Sequence, residues 1–136
     1  MRARSISNGV KALIIDDDDF LLDIYSTKFR ESGFEVEISK EGKDVESKAR
    51  EFNPDLILLD LVMPNIDGFE ILKILKKDGV APNAKISILS NLDQKENIDK
   101  GLSLGADDYI IKADFTPSEV VERAKKLLTP LENLQK

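Results

Sequence analysis

The sequence predicts an α/β domain built on a doubly wound, five-stranded parallel sheet, with five helices on its two faces. Short apolar runs of Ile, Leu and Val recur along the chain, as is typical of strands buried on both faces. Amphipathic helical patterns separate these runs, and the connections are short. Five such units with right-handed crossovers favour the strand order 2-1-3-4-5.

The predicted elements alternate along one domain at residues 10–131, between a flexible tail at 1–9 and a short tail at 132–136. The strands are predicted at 12–15, 36–38, 56–59, 86–89 and 109–111, and the helices at 20–31, 42–52, 69–77, 94–104 and 117–131. Gly33, Gly79 and Gly105 each follow a helical pattern, as expected of left-handed residues that end helices. The segment 116–119 has the pattern of a capping box with Pro at the first helical position.

Composition excludes several kinds of chemistry. The 136 residues include no Cys and no His, which removes disulfides, thiolate catalysis, histidine catalysis and histidine metal sites. A net charge of −6 argues against direct binding of nucleic acid. No apolar run approaches the roughly 20 residues of a membrane span, and no secretory signal is evident. We therefore expect a cytoplasmic domain without membrane contact.

Polar residues follow the apolar runs directly. Asp16 and Asp17 follow the first strand, Asp60 the third, Ser90 the fourth and Lys112 the fifth. Because ligands of such sheets bind at the carboxyl ends of the strands, we expect these side chains to meet at one crevice.

Converging carboxylates repel one another unless a cation compensates them, and Mg²⁺ prefers oxygen ligands. Lys112 would add a positive charge for a phosphate oxygen, and Ser90 a hydroxyl donor. Such a set can make a carboxylate a phosphoryl acceptor, because an ionised carboxylate needs no general base. The sequence thus predicts that Asp60 accepts phosphate beside a Mg²⁺ pocket.

Four segments carry a family resemblance: LIIDDD at 13–18, LLDLVMPNIDG at 58–68, ILSN at 88–91 and GADDYIIK at 105–112. With them the chain resembles the receiver domain of bacterial two-component response regulators, of the stand-alone chemotaxis-receiver type, which has a flavodoxin-like fold. The resemblance covers nearly the whole chain. It implies a phosphoacceptor signalling domain, not an enzyme that turns over a separate substrate, and a sensor histidine kinase or phosphotransfer protein as donor.

The resemblance also assigns roles to residues. Asp60 aligns with the phosphorylated aspartate, Asp17 with a direct Mg²⁺ ligand and Asp16 with one that acts through water. The backbone carbonyl of Val62 aligns with a further ligand, and Mn²⁺ could substitute for Mg²⁺. Lys112 aligns with the lysine that contacts the phosphate.

Two residues align with the switch of the family. Ser90 matches the hydroxyl that phosphate draws inward, and Tyr109 matches the aromatic ring that follows it. This movement would reshape the surface of the fourth helix, fifth strand and fifth helix, where a target protein or a second copy would bind.

Three departures from the family pattern carry expectations. Ala113 stands where the family usually has Pro after a cis bond, so we expect either a strained cis Lys112–Ala113 bond or a rearranged loop. Asn91 replaces a small residue, which would narrow access to the acceptor. Val62 and Leu92 are apolar where polar side chains often orient the hydrolytic water, so we expect slow loss of phosphate.

Two other functions remain compatible with the sequence. A phosphohydrolase with an aspartyl phosphate would need a second Asp where Val62 stands, and a receiver that only binds partners would not need the acidic pocket. Asp18, Asp19 and Asp67 are interpreted as helix-start, turn or cap residues and not as ligands. The segment after the last helix is short, which predicts a stand-alone receiver or a fragment of a longer regulator.

Overall fold

The computed structural model describes residues 9–129, in which strands and helices alternate. The main elements are β1 (Lys11–Ile15), α1 (Asp19–Glu31), β2 (Glu35–Ser39), α2 (Val45–Phe52), β3 (Leu56–Leu59), β4 (Val62–Met63), β5 (Ile66–Asp67), α3 (Gly68–Leu75), β6 (Lys85–Ser90), α4 (Lys95–Ser103), β7 (Asp108–Ile111) and α5 (Pro117–Leu128). Single 3₁₀ turns precede α2 at Gly42–Asp44 and α5 at Lys112–Asp114. Residues 1–8 of the predicted tail at 1–9, and the whole predicted tail at 132–136, lie outside the described residues.

The main sheet confirms the predicted fold class. Within residues 9–129 it has five strands in the order β2-β1-β3-β6-β7, all pairs parallel, which is the predicted order 2-1-3-4-5. Ile15 pairs with Leu59 and Leu59 with Ile88, so the strands end at the same edge. The last helix, predicted to end at about residue 131, ends at Leu128.

A small antiparallel pair was not predicted. Val62 pairs with Asp67 and Met63 with Ile66, in the loop between β3 and α3. Strands of two residues are too short for an alternating pattern in the sequence. This pair folds back the segment that follows Asp60.

Two apolar layers hold the sheet between the helices. Since successive side chains of a strand point to opposite faces, Leu13 and Ile57 lie in the layer under α2 and α3, whereas Ile14 and Leu58 lie under α1 and α5. All four side chains are at most 1% exposed. The strands are thus buried on both faces, as predicted.

Side-chain caps fix where the helices begin. Asp18 accepts the backbone N–H groups of Phe20 and Leu21 at the start of α1. Asp67 accepts the N–H of Phe69 at the start of α3, so the acid is a cap. The predicted capping box at 116–119 is present. Each of the three predicted helix-ending glycines has a positive φ.

Gly68 allows a close approach beside the site. A Cβ built on Gly68 would lie 2.3 Å from the Cα of Leu61, which is backbone and cannot yield. The Gly68 N–H donates to the Leu61 carbonyl at 3.1 Å. The start of α3 therefore packs directly on the residue that follows Asp60.

No helix among residues 9–129 is both long and apolar enough to cross a bilayer.

Candidate functional site

Backbone hydrogen bonds at the carboxyl edge of the sheet place the acidic residues. The Asp60 N–H donates to the Ile15 carbonyl at 2.9 Å, and the Asp16 N–H donates to the Ser39 carbonyl at 3.1 Å. The backbone hydrogen bonds between the strands thus continue one residue beyond the ends of β1 and β3. This brings the two carboxylates together, as the strand-end pattern predicts.

Three aspartates form an acidic cluster in the described part of the chain. Asp16, Asp17 and Asp60 each offer a carboxylate oxygen, and these oxygens lie within 4.8 Å of one another. Asp16 and Asp60 are only 2% and 7% exposed, whereas Asp17 is exposed. Three converging oxygen donors with an open side suit a hard divalent cation that retains some of its water.

Lys112 compensates part of this charge. Its Nζ lies 3.0 Å from Oδ2 of Asp16 and 3.4 Å from Oδ2 of Asp60. Burial by itself lowers the pKa of Lys112, but the hydrogen bond to Asp16 and the charge of Asp60 outweigh it and raise the pKa overall. Lys112 is therefore a charged ammonium that joins the two buried carboxylates.

Asp60 is less acidic than an ordinary aspartate. Burial and the charge of Asp16 raise its pKa to about 6, against the opposing effects of Lys112 and of a hydrogen bond from the Val62 N–H. That bond joins the Val62 N–H to Oδ1 of Asp60 at 3.2 Å. At neutral pH most Asp60 is ionised, and it is poorly solvated, which favours a nucleophilic carboxylate.

An open pocket of about 390 Å³ gives access to Asp60. The residues that line it include every residue that the sequence singled out as acceptor, phosphate contact or metal ligand: Asp16, Asp17, Asp60, Val62, Ser90 and Lys112. Asn91 and Leu92, two of the departures from the family pattern, line it as well. The structure therefore brings the predicted acceptor, phosphate-contact and metal-ligand residues to one place.

Tyr109 does not line the pocket but is connected to it. Ser90 is fully buried, and its Oγ accepts the Leu92 N–H at 3.2 Å. The Leu92 carbonyl in turn accepts the hydroxyl of Tyr109 at 2.5 Å. The backbone of Leu92 thus links the two predicted switch residues, a connection that the sequence does not reveal.

The loop after Lys112 is rearranged. Every peptide bond between residues 9 and 129 is trans, so the cis alternative for Lys112–Ala113 is wrong. The backbone instead takes a 3₁₀ turn over Lys112–Asp114. The Ala113 N–H donates at 3.0 Å to Oδ1 of Asn91, a residue that lines the pocket.

An ion pair on the surface of β7 and α5 was missed by sequence reasoning. Arg123 donates through Nε and Nη2 to the two carboxylate oxygens of Asp108, at 2.9 and 2.8 Å. The residues lie 15 positions apart in different elements, so no local pattern pairs them. This pair ties α5 to β7 beside Tyr109.

Fold and site together define a doubly wound α/β domain with an acidic, lysine-containing pocket at the carboxyl edge of its sheet. The family model of the response regulator receiver domain matches residues 12–125, and the chain belongs to that family.

Known proteins of the family resemble the chain in sequence and structure. The DNA-binding response regulator MtrA of Mycolicibacterium smegmatis is 33% identical over 118 residues, which are 87% of this chain and 50% of MtrA. The receiver domain of the Francisella response regulator 1452 is 35% identical, with a TM-score of 0.79 over 94% of this chain and 100% of that one. The chemotaxis protein CheY4 of Vibrio cholerae is 26% identical, with a TM-score of 0.81 over 88% and 99%. The chain spans about half the length of the curated relatives it matches.

Proposed function

We propose that Asp60 of this receiver domain accepts a phosphoryl group from a phosphohistidine of a sensor histidine kinase or a phosphotransfer protein. The observation that carries the proposal is the Lys112 ammonium, held within hydrogen-bonding distance of both Asp16 and Asp60 in an open pocket. The Asp60 carboxylate has a cationic neighbour and is accessible through the pocket, so a phosphoryl donor can approach it.

In the proposed transfer, a carboxylate oxygen of Asp60 forms a bond to phosphorus while the bond from phosphorus to the donor imidazole breaks. No proton has to leave Asp60, because the ionised form is the nucleophile. Lys112 turns toward the phosphoryl oxygens and neutralises charge that builds up on them. Ser90, whose Oγ accepts from Leu92, keeps its own O–H to donate to the phosphoryl group.

The acidic cluster would hold the divalent cation. Carboxylates of Asp17 and Asp60, the backbone carbonyl of Val62 and, through water, Asp16 are the proposed ligands, for Mg²⁺ or for Mn²⁺ in its place. When bound, this cation supplies positive charge opposite the phosphoryl oxygens.

The output of the switch is proposed to be a change on the surface of α4, β7 and α5, reached from Ser90 through Leu92 and Tyr109. The partner of this surface is proposed to be a target protein or a second copy of the chain. Relatives such as MtrA are DNA-binding regulators about twice as long as the match, but residues 9–129 are proposed to contact no nucleic acid themselves. A cytoplasmic location remains a prediction.

Intact-protein mass spectrometry with acetyl phosphate and Mg²⁺ tests the acceptor. We expect a gain of one phosphate in the wild type and none in Asp60→Asn. Asp67→Asn is a matched control, because Asn also caps helices and Asp67 lies outside the pocket. A gain that persists in Asp60→Asn would overturn the assignment. Repeated turnover of a phosphate ester would favour a phosphohydrolase, and a wild type that gains no phosphate would favour a binding module.

A further inference from the structure

Gly101 occupies an unusual position inside α4. It is the one fully buried residue of that helix, although glycine in a helix interior costs about 1 kcal/mol relative to alanine. A Cβ built on it would lie 2.5 Å from Cδ1 of Ile88 and 3.3 Å from Cδ2 of the Tyr109 ring. The space next to the α4 backbone is thus occupied by two side chains, which explains why a glycine is there.

The two neighbours differ in their freedom to move. Ile88 lies in the middle of β6 and is 0% exposed, so any rotation of its side chain has to take place within the packed core. Tyr109 is half-buried at the edge of the sheet. A methyl group at residue 101 therefore requires Ile88 to rotate or α4 to move away from the sheet, and the 3.3 Å contact means that the Tyr109 ring must give way as well.

The position of the Tyr109 ring beside Gly101 also allows its hydroxyl to form a hydrogen bond that leads to the pocket. From there the Tyr109 hydroxyl donates to the Leu92 carbonyl, and the Leu92 N–H donates to Ser90 Oγ next to Asp60. A displaced ring loses the bond to Leu92. In the ring position of this structure, Tyr109 contacts Gly101 of α4 on one side and the Leu92 carbonyl beside the phosphate site on the other.

We propose that Gly101 is a positioning residue whose missing side chain creates a seat for the Tyr109 ring, and that this seat transmits the state of Asp60 to the surface of α4. We call the space between Gly101, Ile88 and Leu92 the tyrosine seat. The transmission rests on the proposed function, in which Asp60 accepts a phosphoryl group. The seat itself is a property of the unphosphorylated protein.

Fluorine NMR of the full chain labelled with 3-fluorotyrosine tests the seat. The chain has two tyrosines, so Tyr25→Phe assigns both resonances. In Gly101→Ala we expect the Tyr109 resonance to move toward the position of free fluorotyrosine, and the Tyr25 resonance to stay. If glycine has no packing role, Gly101→Ala only stabilises the helix and leaves Tyr109 unmoved, which overturns the proposal.

A compensating substitution makes the test specific. Ile88→Val removes the Cδ1 atom of the 2.5 Å contact, so the double variant Gly101→Ala with Ile88→Val regains most of the space. We expect its Tyr109 resonance to return toward the wild-type position. If Gly101→Ala does not fold, folding of the double variant supports the seat, and failure of both variants to fold overturns it.

Measurements with and without phosphorylation test this proposal separately from the proposed function. Gly101 lies outside the pocket, so Gly101→Ala is expected to gain one phosphate as the wild type does. The phosphate-dependent shift of the Tyr109 resonance is expected to be lost. An unchanged shift in Gly101→Ala overturns the transmission. A wild type that gains no phosphate overturns the proposed function, while the comparison without phosphate still decides on the seat.

Discussion

The side-chain oxygen of Asn91 accepts a hydrogen bond from the backbone N–H of Ala113, with 3.0 Å between the two atoms. The bond joins the loop after β6 to the turn after β7, next to the pocket residues Asn91 and Lys112. A proline at position 113 has no N–H and could not form it. Asn91 and Ala113, two separate departures in the sequence, are thus one structural feature.

Asn91→Ala removes the acceptor of this bond. We expect the Ala113 amide to exchange its hydrogen about fivefold faster and the free energy of unfolding to fall by about 1 kcal/mol or less, because the bond is exposed. Hydrogen exchange by NMR and urea unfolding measure the two effects. Asn91→Asp keeps an oxygen acceptor and serves as the control. Unchanged protection in Asn91→Ala would show that the bond does not form in solution.

Ser87→Ala is expected to stabilise the protein. The Ser87 hydroxyl is buried in β6 and has no hydrogen-bond partner among the described residues. Burying a hydroxyl in this way costs about 1–3 kcal/mol, so its removal raises the free energy of unfolding by about 1 kcal/mol. Ser39→Ala is the matched control, since the equally buried Ser39 donates to the Glu41 carbonyl and its loss destabilises. Thermal unfolding measures both, and a lower Tm in Ser87→Ala contradicts the prediction.

The stability of the metal-free protein is expected to fall as pH rises from about 4 to about 6. Burial raises the pKa of Asp60 from 3.8 to about 6, so in this window the folded state binds more protons than the unfolded chain. The effect is on the order of 1–2 kcal/mol once solvent screening is included, and above the window it is constant. Urea unfolding in EDTA measures the slope, and Asp60→Asn removes the contribution. If the unfolding free energy depends on pH equally in the wild type and in Asp60→Asn, other titrating groups cause the effect.

Lys112→Met is expected to weaken the metal-free protein strongly. The Lys112 side chain is 11% exposed, and its loss leaves the Asp16 and Asp60 carboxylates without a cationic partner. Removing one partner of a buried ion pair costs roughly 3 kcal/mol or more. Added Mg²⁺ should restore part of the stability, because the carboxylates regain a counter-charge.

A surface lysine provides the control for this experiment. Lys125 pairs with Glu122 at 3.6 Å, and the glutamate side chain is 68% exposed. Exposed pairs contribute about 0–1 kcal/mol, so Lys125→Met should change the free energy of unfolding little. Similar losses of unfolding free energy in Lys112→Met and Lys125→Met would contradict the conclusion that the buried ion pair stabilises the protein.

Val62→Asn is expected to shorten the lifetime of the phosphoryl group about fivefold, the effect of one added hydrogen bond of about 1 kcal/mol to the attacking water. Val62 is 58% exposed and lines the pocket beside Asp60, so an amide there can orient water. Leu92→Glu tests the second apolar position. Release of inorganic phosphate measures the lifetime, with Val62→Ile as the apolar control. Unchanged lifetimes in both polar variants would exclude the apolar residues as the cause of slow hydrolysis.

The fold could be predicted because local patterns carry it. Strand 56–59 is a continuous apolar run and matches β3 at both ends, and the other predicted strands differ from the structure by one residue at one or both ends. Placement of Asp60 and Lys112 followed from the rule that parallel strands end at one edge. These predictions need only the order of residue types along the chain.

Other features depend on how loops and helices approach one another. The Asn91–Ala113 bond joins residues 22 positions apart, and the Tyr109–Leu92 bond residues 17 apart. Neither separation matches the repeat of a helix or a strand, so the sequence pattern does not predict these contacts. The packing of Gly101 against Tyr109 depends on the distance between α4 and the sheet, which the hydrophobic pattern leaves undetermined.

The contact of Lys112 with Asp16 and Asp60 has a consequence for electroneutrality. The acidic cluster of Asp16, Asp17 and Asp60 brings three carboxylates to one ammonium, so the ionised cluster and Lys112 together carry two negative charges in excess. One divalent cation cancels them. Conversion of the Asp60 carboxylate to an acyl phosphate then adds about one negative charge, which only a retained cation and the Lys112 ammonium can offset. In the proposed transfer, cation binding and phosphorylation of Asp60 are therefore linked equilibria, and each favours the other by the same free energy.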